Sequence, residues 1–236
     1  MEITPLAFKR LMKDVKDILK EPLEDNGIYY KHDESNILKG YILIIGPCDT
    51  PYEYGNYLFN VDYPYNYPMN PPKITFMSNS DNIRMNPNLY RNGKVCISIL
   101  NTWSGDQWSS CQTIKTVLLT LLTIFNDKPL LNEPGVHESS SDFNPYNSII
   151  SYKNFDITIN GIIVKNVANT LYNIFKDDIN KIFLKNYESI IRSIDNHIKK
   201  NKKSIIESTN LYNMKNVLID YETLKVKIID IYIKLK

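Results

Sequence analysis

Residues 86–100 read NPNLYRNGKVCISIL and place a cysteine in an unusual local setting. Asn86-Pro87-Asn88 is followed by a turn at Asn92-Gly93 and then by Cys96 in a short apolar segment. Taken alone, Cys96 is typical of a core residue, because free cysteines are among the most buried residue types. An asparagine on a proline-stiffened backbone near a thiol instead favours acyl transfer, in which an amide donor stabilises the negative charge on a carbonyl oxygen.

The composition is that of an ordinary globular chain. It has 236 residues, 43% of them hydrophobic and 23% charged, and a formal net charge of +2. These values exclude disordered and collagen-like proteins and allow one sizeable core. No apolar run approaches the roughly 20 residues that span a bilayer, and the N-terminus lacks the apolar segment of a signal peptide. We therefore expect no membrane partner and a location in the cytoplasm or nucleus, or in the host cytoplasm for a viral chain.

The cysteines and histidines do not form a metal-binding pattern. The three cysteines, Cys48, Cys96 and Cys111, contain no Cys-x-x-Cys pair, and only three histidines accompany them. Neither a disulfide framework nor a zinc site is supported, so we expect no metal and no cofactor. A small packing role is expected for Cys111, and Cys48 is interpreted as structural.

Hydrophobic periodicity predicts helices around a short β-meander. Thr4-Pro5 begins a helix that ends before Pro22, and Ser109 or Ser110 caps a second helix. The segments 37–45, 57–63 and 73–77 favour antiparallel strands, and 95–100 also has strand character. The apolar positions expected to face the core from the first helix are Phe8, Leu11, Met12, Val15, Ile18 and Leu19.

The last third of the chain differs in charge from the rest. Residues 1–150 are net acidic and residues 151–236 net basic, and a helical pattern between Ile179 and Ile198 leads into the basic run Lys199, Lys200, Lys202 and Lys203. This region either binds nucleic acid or forms a helical extension with a solvated basic face. No nucleic-acid motif accompanies it, which favours the extension and no nucleic-acid partner.

The order and spacing of residues 86–100 resemble the signature of the ubiquitin-conjugating enzymes (E2s). In that family, a His-Pro-Asn tripeptide and a turn ending in glycine precede a cysteine in an apolar segment. The resemblance extends to YPYNYPMNPPKITF at 63–76, to GPCDTPYEYGNYLFNV at 46–61 and to Trp108-Ser109, and it covers about residues 4–150. It implies an α+β ubiquitin-conjugating (UBC) fold, a four-stranded antiparallel meander flanked by helices. We expect a conjugating core at 1–152 and a helical C-terminal extension at 153–236.

Two departures from the family pattern refine the resemblance. Asn86 stands where most members have histidine, a mainly structural position, and LNEPG at 131–135 follows the second helix. Together with a short insertion between Trp103 and Trp108, these features are similar to the longer, Z-type subgroup. Ser110 and Met69 also depart from common family residues, at positions that face ligases.

The resemblance implies a role for each matching residue. Cys96 would accept ubiquitin or a ubiquitin-like modifier from an activating enzyme as a thioester, and Asn88 would support the loop or stabilise the oxyanion. Glu133 would orient the substrate lysine and accept its proton, unless it is simply a solvated loop charge. His137 is interpreted as incidental.

The resemblance also implies protein partners. The basic face of the first helix would dock an activating enzyme, although a solvated face is the alternative; its residues are Lys9, Lys13, Lys16 and Lys20. Met69, Trp108 and Ser109 would face a ligase, and a protein substrate would supply the lysine.

Two other functions remain open at this point. A noncatalytic ubiquitin-binding or ligase-binding module has the same fold, but such modules lack the cysteine. A cysteine hydrolase would need a histidine near Cys96, and none of the three histidines has a matching context.

Overall fold

The computed structural model describes residues 3–79, 82–200 and 204–236. Its first helix is α1, at Pro5–Lys20. The predicted start is correct, because the Thr4 hydroxyl accepts a hydrogen bond from the Ala7 N–H. The predicted core face was too wide: Phe8, Met12 and Leu19 are exposed. Only one side of α1 packs against the rest of the protein, along its buried residues Ala7, Leu11, Asp14, Val15 and Ile18.

The sheet is the predicted four-stranded antiparallel meander, in the order β1-β2-β3-β4. Its strands are β1 (Ile28–His32), β2 (Lys39–Ile45), β3 (Asn56–Asp62) and β4 (Lys73–Phe76). Strand β1 did not stand out in the sequence. The strand character expected at 95–100 was wrong, because this segment makes only an isolated bridge, from Val95 to Leu89, and a short 3-10 helix at Ser98–Leu100.

Helix α2 spans Ile114–Thr123 and begins later than the sequence indicated. Thr113 is its N-cap rather than Ser109 or Ser110. The Thr113 hydroxyl accepts the Thr116 N–H, and the Thr116 hydroxyl accepts the Thr113 N–H. This reciprocal pair satisfies two backbone donors that a helix start leaves free, so the helix begins there.

The C-terminal region is largely helical, as predicted. Helix α3 (Phe143–Lys153) continues into a π-helix at Asn154–Gly161, and α4 (Asn169–Lys200) and α5 (Tyr221–Leu235) follow. Between α4 and α5 lies a hairpin that was not predicted, formed by β5 (Ile205–Thr209) and β6 (Met214–Ile219). Lys202 and Lys203 of the predicted basic run lie outside the described residues.

The C-terminal region packs on the four-stranded sheet through polar contacts, two of them buried. Tyr57 on β3 donates its hydroxyl to Asn154 Oδ1 at 2.7 Å, and Asn56 donates its side-chain amide to the Thr158 carbonyl at 2.9 Å. On β1, Lys31 forms an ion pair of 2.6 Å with Asp178 of α4. One cluster of buried apolar residues runs from Leu11 to Ile231. The division at residue 152 stays a prediction.

Among the described residues, no helix combines the length and the apolar character that crossing a bilayer requires.

Candidate active site

The loop that carries Cys96 is held by two hydrogen bonds to Asn88. The Cys96 N–H donates to the Asn88 carbonyl at 2.8 Å, and the Asn88 side-chain amide donates to the Cys96 carbonyl at 2.7 Å. The Thr102 hydroxyl stabilises the other side of the loop, because its single hydrogen is shared between the carbonyls of Val95 and Ile97. The backbone of the candidate nucleophile therefore has a defined position, with the Asn88 amide adjacent to it.

Asn86 fills the position of the family's usual histidine with a buried, hydrogen-bonded amide. Its Nδ2 donates to the Tyr52 hydroxyl at 2.7 Å and to the Ile124 carbonyl at 2.8 Å. Its Oδ1 accepts the Asn88 N–H at 2.8 Å. Because the Asn86 amide is fixed by two buried bonds, its oxygen holds the backbone of Asn88 in a defined orientation.

Cys96 itself is buried, with only 1% of its surface exposed. A modifier terminus could reach its sulfur only after neighbouring side chains move. Asn88 is partly exposed, and its Oδ1 is buried without a hydrogen-bond partner among the described residues. Most buried polar atoms in folded proteins have a hydrogen-bond partner, so the Asn88 oxygen is free to accept a hydrogen bond from a bound group.

The segment that carries Glu133 lies against the same loop. The Ile124 carbonyl, which accepts from Asn86, also accepts from the Asn132 side-chain amide at 3.1 Å. Glu133 directly follows Asn132, and its side chain is half-buried. The Ile124 carbonyl therefore joins Asn132, the neighbour of Glu133, to the Asn86-to-Asn88 loop.

Two residues at this site were missed by sequence reasoning. The Tyr212 hydroxyl donates to a carboxylate oxygen of Glu133. The Arg84 guanidinium donates to the carbonyls of Asn86 and Pro87. The central carbon of the guanidinium lies 3.4 Å from the ring centroid of Tyr90 and 5.0 Å from the ring centroid of Tyr212. Burial and the neighbouring carboxylate raise the pKa of Tyr212 far above its usual range, so it remains a donor.

The remaining thiols and the candidate histidine are not part of this arrangement. Cys48 and Cys111 are exposed, so the structural interpretation of Cys48 and the packing role expected for Cys111 were wrong. His137 is exposed in the loop after Glu133, and it makes no side-chain hydrogen bond or ion pair within the described residues. Among all the residues that the structure describes, no three His, Cys, Asp or Glu side chains lie close enough together to hold a metal ion.

The lysine face of α1 is exposed and lined with apolar side chains. Lys9, Lys13 and Lys16 border a groove, and its apolar lining includes Leu6, Met12, Val15 and Leu19. Lys13 is also paired with Asp17 at 3.1 Å, an exposed contact of little energetic weight. This combination of cations and apolar surface suits an acidic, partly apolar partner.

The three residues expected to face a ligase lie on one surface. The Trp108 indole N–H donates to the Pro68 carbonyl at 2.7 Å, which places it beside Met69. Met69 is 64% exposed, and Ser109 is also exposed. Arg10 of α1 donates to the Ser110 and Gln112 carbonyls at 2.7 Å, so this surface borders the lysine face.

Comparisons with known proteins identify the family of this chain. The family model for ubiquitin-conjugating enzymes matches residues 10–152. The chain is 39% identical to ubiquitin-conjugating enzyme E2 Z of Xenopus tropicalis over 64% of its own length and 48% of that protein. It is also 39% identical to the Homo sapiens E2 Z over 66% of its length and 44% of that protein.

A solved structure of human ubiquitin-conjugating enzyme E2 G1 shares 29% sequence identity and has a TM-score of 0.45, covering 52% of this chain and 97% of that one. The chain spans slightly under half the length of the E2 Z relatives it matches. The names of these relatives agree with the predicted Z-type resemblance and do not favour a noncatalytic module. Because the family model covers more than half of the chain, this protein belongs to the ubiquitin-conjugating enzyme family.

Proposed function

We propose that this protein is an E2 enzyme that carries ubiquitin or a ubiquitin-like modifier as a thioester on Cys96 and transfers it to a substrate lysine. The pairing of Cys96 with Asn88 carries this proposal, because the backbone of Cys96 is hydrogen-bonded to both the carbonyl and the side-chain amide of Asn88. Membership in the family supports it.

The first step is the transfer of the modifier from an activating enzyme. The Cys96 thiolate attacks the carbonyl carbon of the modifier's thioester, a new C–S bond forms, and the bond to the activating enzyme's sulfur breaks. That sulfur leaves with the electron pair as a thiolate. ATP is consumed earlier, by the activating enzyme, and the E2 needs no cofactor because a thioester is already activated.

The second step is aminolysis by a substrate lysine. The amine nitrogen forms a C–N bond to the carbonyl carbon, and the C–S bond to Cys96 breaks, so that the Cys96 sulfur leaves with the electron pair as a thiolate. Negative charge collects on the carbonyl oxygen, and the Asn88 amide supports the loop or donates to that oxygen. The proton released by the nitrogen passes to Glu133, whose carboxylate orients the lysine, and then to water.

Partner binding follows from the exposed surfaces. The activating enzyme docks on Lys9, Lys13 and Lys16, and a ligase contacts Met69, Trp108 and Ser109. The two surfaces border each other through Arg10, so charging and ligase binding would alternate. The reaction would take place in the cytoplasm or nucleus, or in the host cytoplasm for a viral chain.

A charging assay tests the proposed function. The protein is incubated with an activating enzyme, ATP and ubiquitin or another modifier, and the adduct is resolved with and without reductant. We expect a reductant-sensitive adduct that Cys96→Ala abolishes. Cys111→Ala is the matched control, because it removes an exposed thiol and should leave the adduct intact.

The same assay separates the alternatives. An adduct that persists in Cys96→Ala would refute the assignment of the nucleophile. Modifier binding without an adduct, under every combination of modifier and activating enzyme, would favour a noncatalytic module.

A further inference from the structure

The tip of the β5–β6 hairpin is fastened to the loop that surrounds the candidate active site. The Asp142 carboxylate accepts the backbone N–H groups of Asn210 and Leu211 at 3.0 and 2.8 Å. The Arg91 guanidinium donates to the Tyr212 carbonyl. The C-terminal region therefore reaches the surface of the conjugating core that carries Asp142 and Arg91, and it is hydrogen-bonded there at several points.

The backbone at this tip adopts a conformation that ordinary residues avoid. Tyr212 has a φ of 62° and Asn213 a φ of 48°, both in the left-handed region. Residues other than glycine keep such backbone conformations only where surrounding contacts hold them in place, and these residues cluster at functional sites. The contacts to Asp142, Arg91 and Glu133 supply that constraint.

The hydrogen bond from Tyr212 occupies only part of the Glu133 carboxylate. The phenol donates to Oε2, whereas Oε1 has no hydrogen-bond or ion-pair partner within the described residues. A carboxylate has about four lone-pair positions, so it can accept from the phenol and from an amine together. Glu133 is thus held by one oxygen and open at the other.

We propose that Tyr212 is a positioning residue for lysine transfer, holding the Glu133 carboxylate so that its free oxygen faces the incoming amine. This inference rests on the proposed function and assigns part of the acceptor site to the C-terminal region. Tyr212 acts on the aminolysis step only. Charging of Cys96 needs no acceptor amine and therefore does not depend on Tyr212.

The test uses the full-length protein and the variant Tyr212→Phe, which keeps the ring and removes the hydroxyl. Each protein is first charged with the modifier, and the discharge of its thioester to free lysine is followed after charging is stopped. The matched control is Tyr172→Phe, which removes another tyrosine hydroxyl bond of the C-terminal region, to Asn180 on α4 at 3.2 Å. Hydrolysis measured without lysine is subtracted.

We expect normal charging of Tyr212→Phe and discharge at neutral pH slowed roughly ten- to a hundredfold, the ratio expected for one hydrogen bond to a charged group. The deficit should shrink as the pH rises toward the lysine pKa of about 10.4, because the free amine then needs no help in losing a proton. A loss of the same size at every pH, or no loss at all, would overturn the inference.

A double variant shows whether Tyr212 acts through Glu133. In a Glu133→Gln background, adding Tyr212→Phe should cause no further slowing, because the carboxylate that Tyr212 holds is already gone. Multiplicative effects of the two substitutions would refute the coupling. Failure of the unmodified protein to charge would instead count against the proposed function, so the two failures are distinguishable.

Discussion

The variant Asn154→Ala tests how firmly the C-terminal region is joined to the conjugating core. Asn154 is fully buried where α3 passes into the π-helix. Its Oδ1 accepts the Tyr57 hydroxyl at 2.7 Å, and its Nδ2 donates to the Glu53 carbonyl at 2.8 Å. The Thr158 hydroxyl also contacts Oδ1 at 3.0 Å but has a second acceptor, the Asn154 carbonyl, that the substitution preserves.

The expected loss of stability can be worked out from these bonds. The orphaned Tyr57 hydroxyl costs about 1–3 kcal/mol, and the lost bond to the Glu53 carbonyl about 1 kcal/mol. The total is about 3 kcal/mol, which lowers the melting temperature by roughly 6–12 °C in a chain of this size. Urea unfolding followed by circular dichroism measures the free energy, and calorimetry measures the melting temperature.

The matched variant is Tyr57→Phe, which removes the donor and leaves Asn154 bonded to Thr158. It should cost only about 1 kcal/mol. The double variant Tyr57→Phe with Asn154→Ala has no orphaned hydroxyl. Its loss of unfolding free energy should therefore be about 1 kcal/mol smaller than the sum of the losses in the two single variants. Strictly additive effects, or a loss below about 1 kcal/mol for Asn154→Ala, would refute this reasoning.

The unfolding curve also bears on the predicted division at residue 152. Because buried apolar residues form one cluster from Leu11 to Ile231, we expect a single transition for the whole chain. Two resolved transitions would instead indicate that the core unfolds independently of the extension.

Three further predictions concern the site, the docking face and pH. Asn86→Ala should cost about 2 kcal/mol in urea unfolding and slow charging, because the Asn88 N–H loses its buried acceptor; unchanged charging would contradict this. Lys16→Glu should weaken charging, measured as a raised KM for the activating enzyme, with a deficit that shrinks in high salt. Burial, and secondarily the charge of Lys200, lowers the pKa of His197 below 6.5. The neutral imidazole therefore stabilises the fold above pH 6.5, and this contribution is lost as the pH falls through the pKa of the folded state. In His197→Gln, the free energy of unfolding in urea should vary less between neutral pH and about pH 5.

Much of the fold was predictable because its signals are local. The Thr4 cap and the proline after it start α1 where expected, and apolar periodicity indicated α4. The hairpin at 205–219 was missed because its turn has neither glycine nor proline, and Asn210 and Asn213 are its turn signals. Tyr212 also adopts a positive φ there, which its residue type does not predict and which distant contacts hold in place.

The conjugating motif could likewise be read from neighbouring residues. Asn88 and Cys96 are eight positions apart, and one turn brings them together, so their order in the chain already predicts their contact. Whether apolar positions on α1 face the core could not be predicted, because Phe8 and Met12 have the same periodicity as buried residues but are exposed.

The sequence by itself indicated the family, and it predicted the candidate nucleophile and its asparagine, since these depend on residue types at short, defined spacings. Only the tertiary structure decided that Cys96 is buried, that Asn86 replaces a histidine by bonding across the interior, and that Tyr212 meets Glu133. Tyr212 and Glu133 are 79 positions apart and belong to different regions of the chain. Their contact depends on how the hairpin packs against the core, which is a property of the whole fold and of no local pattern.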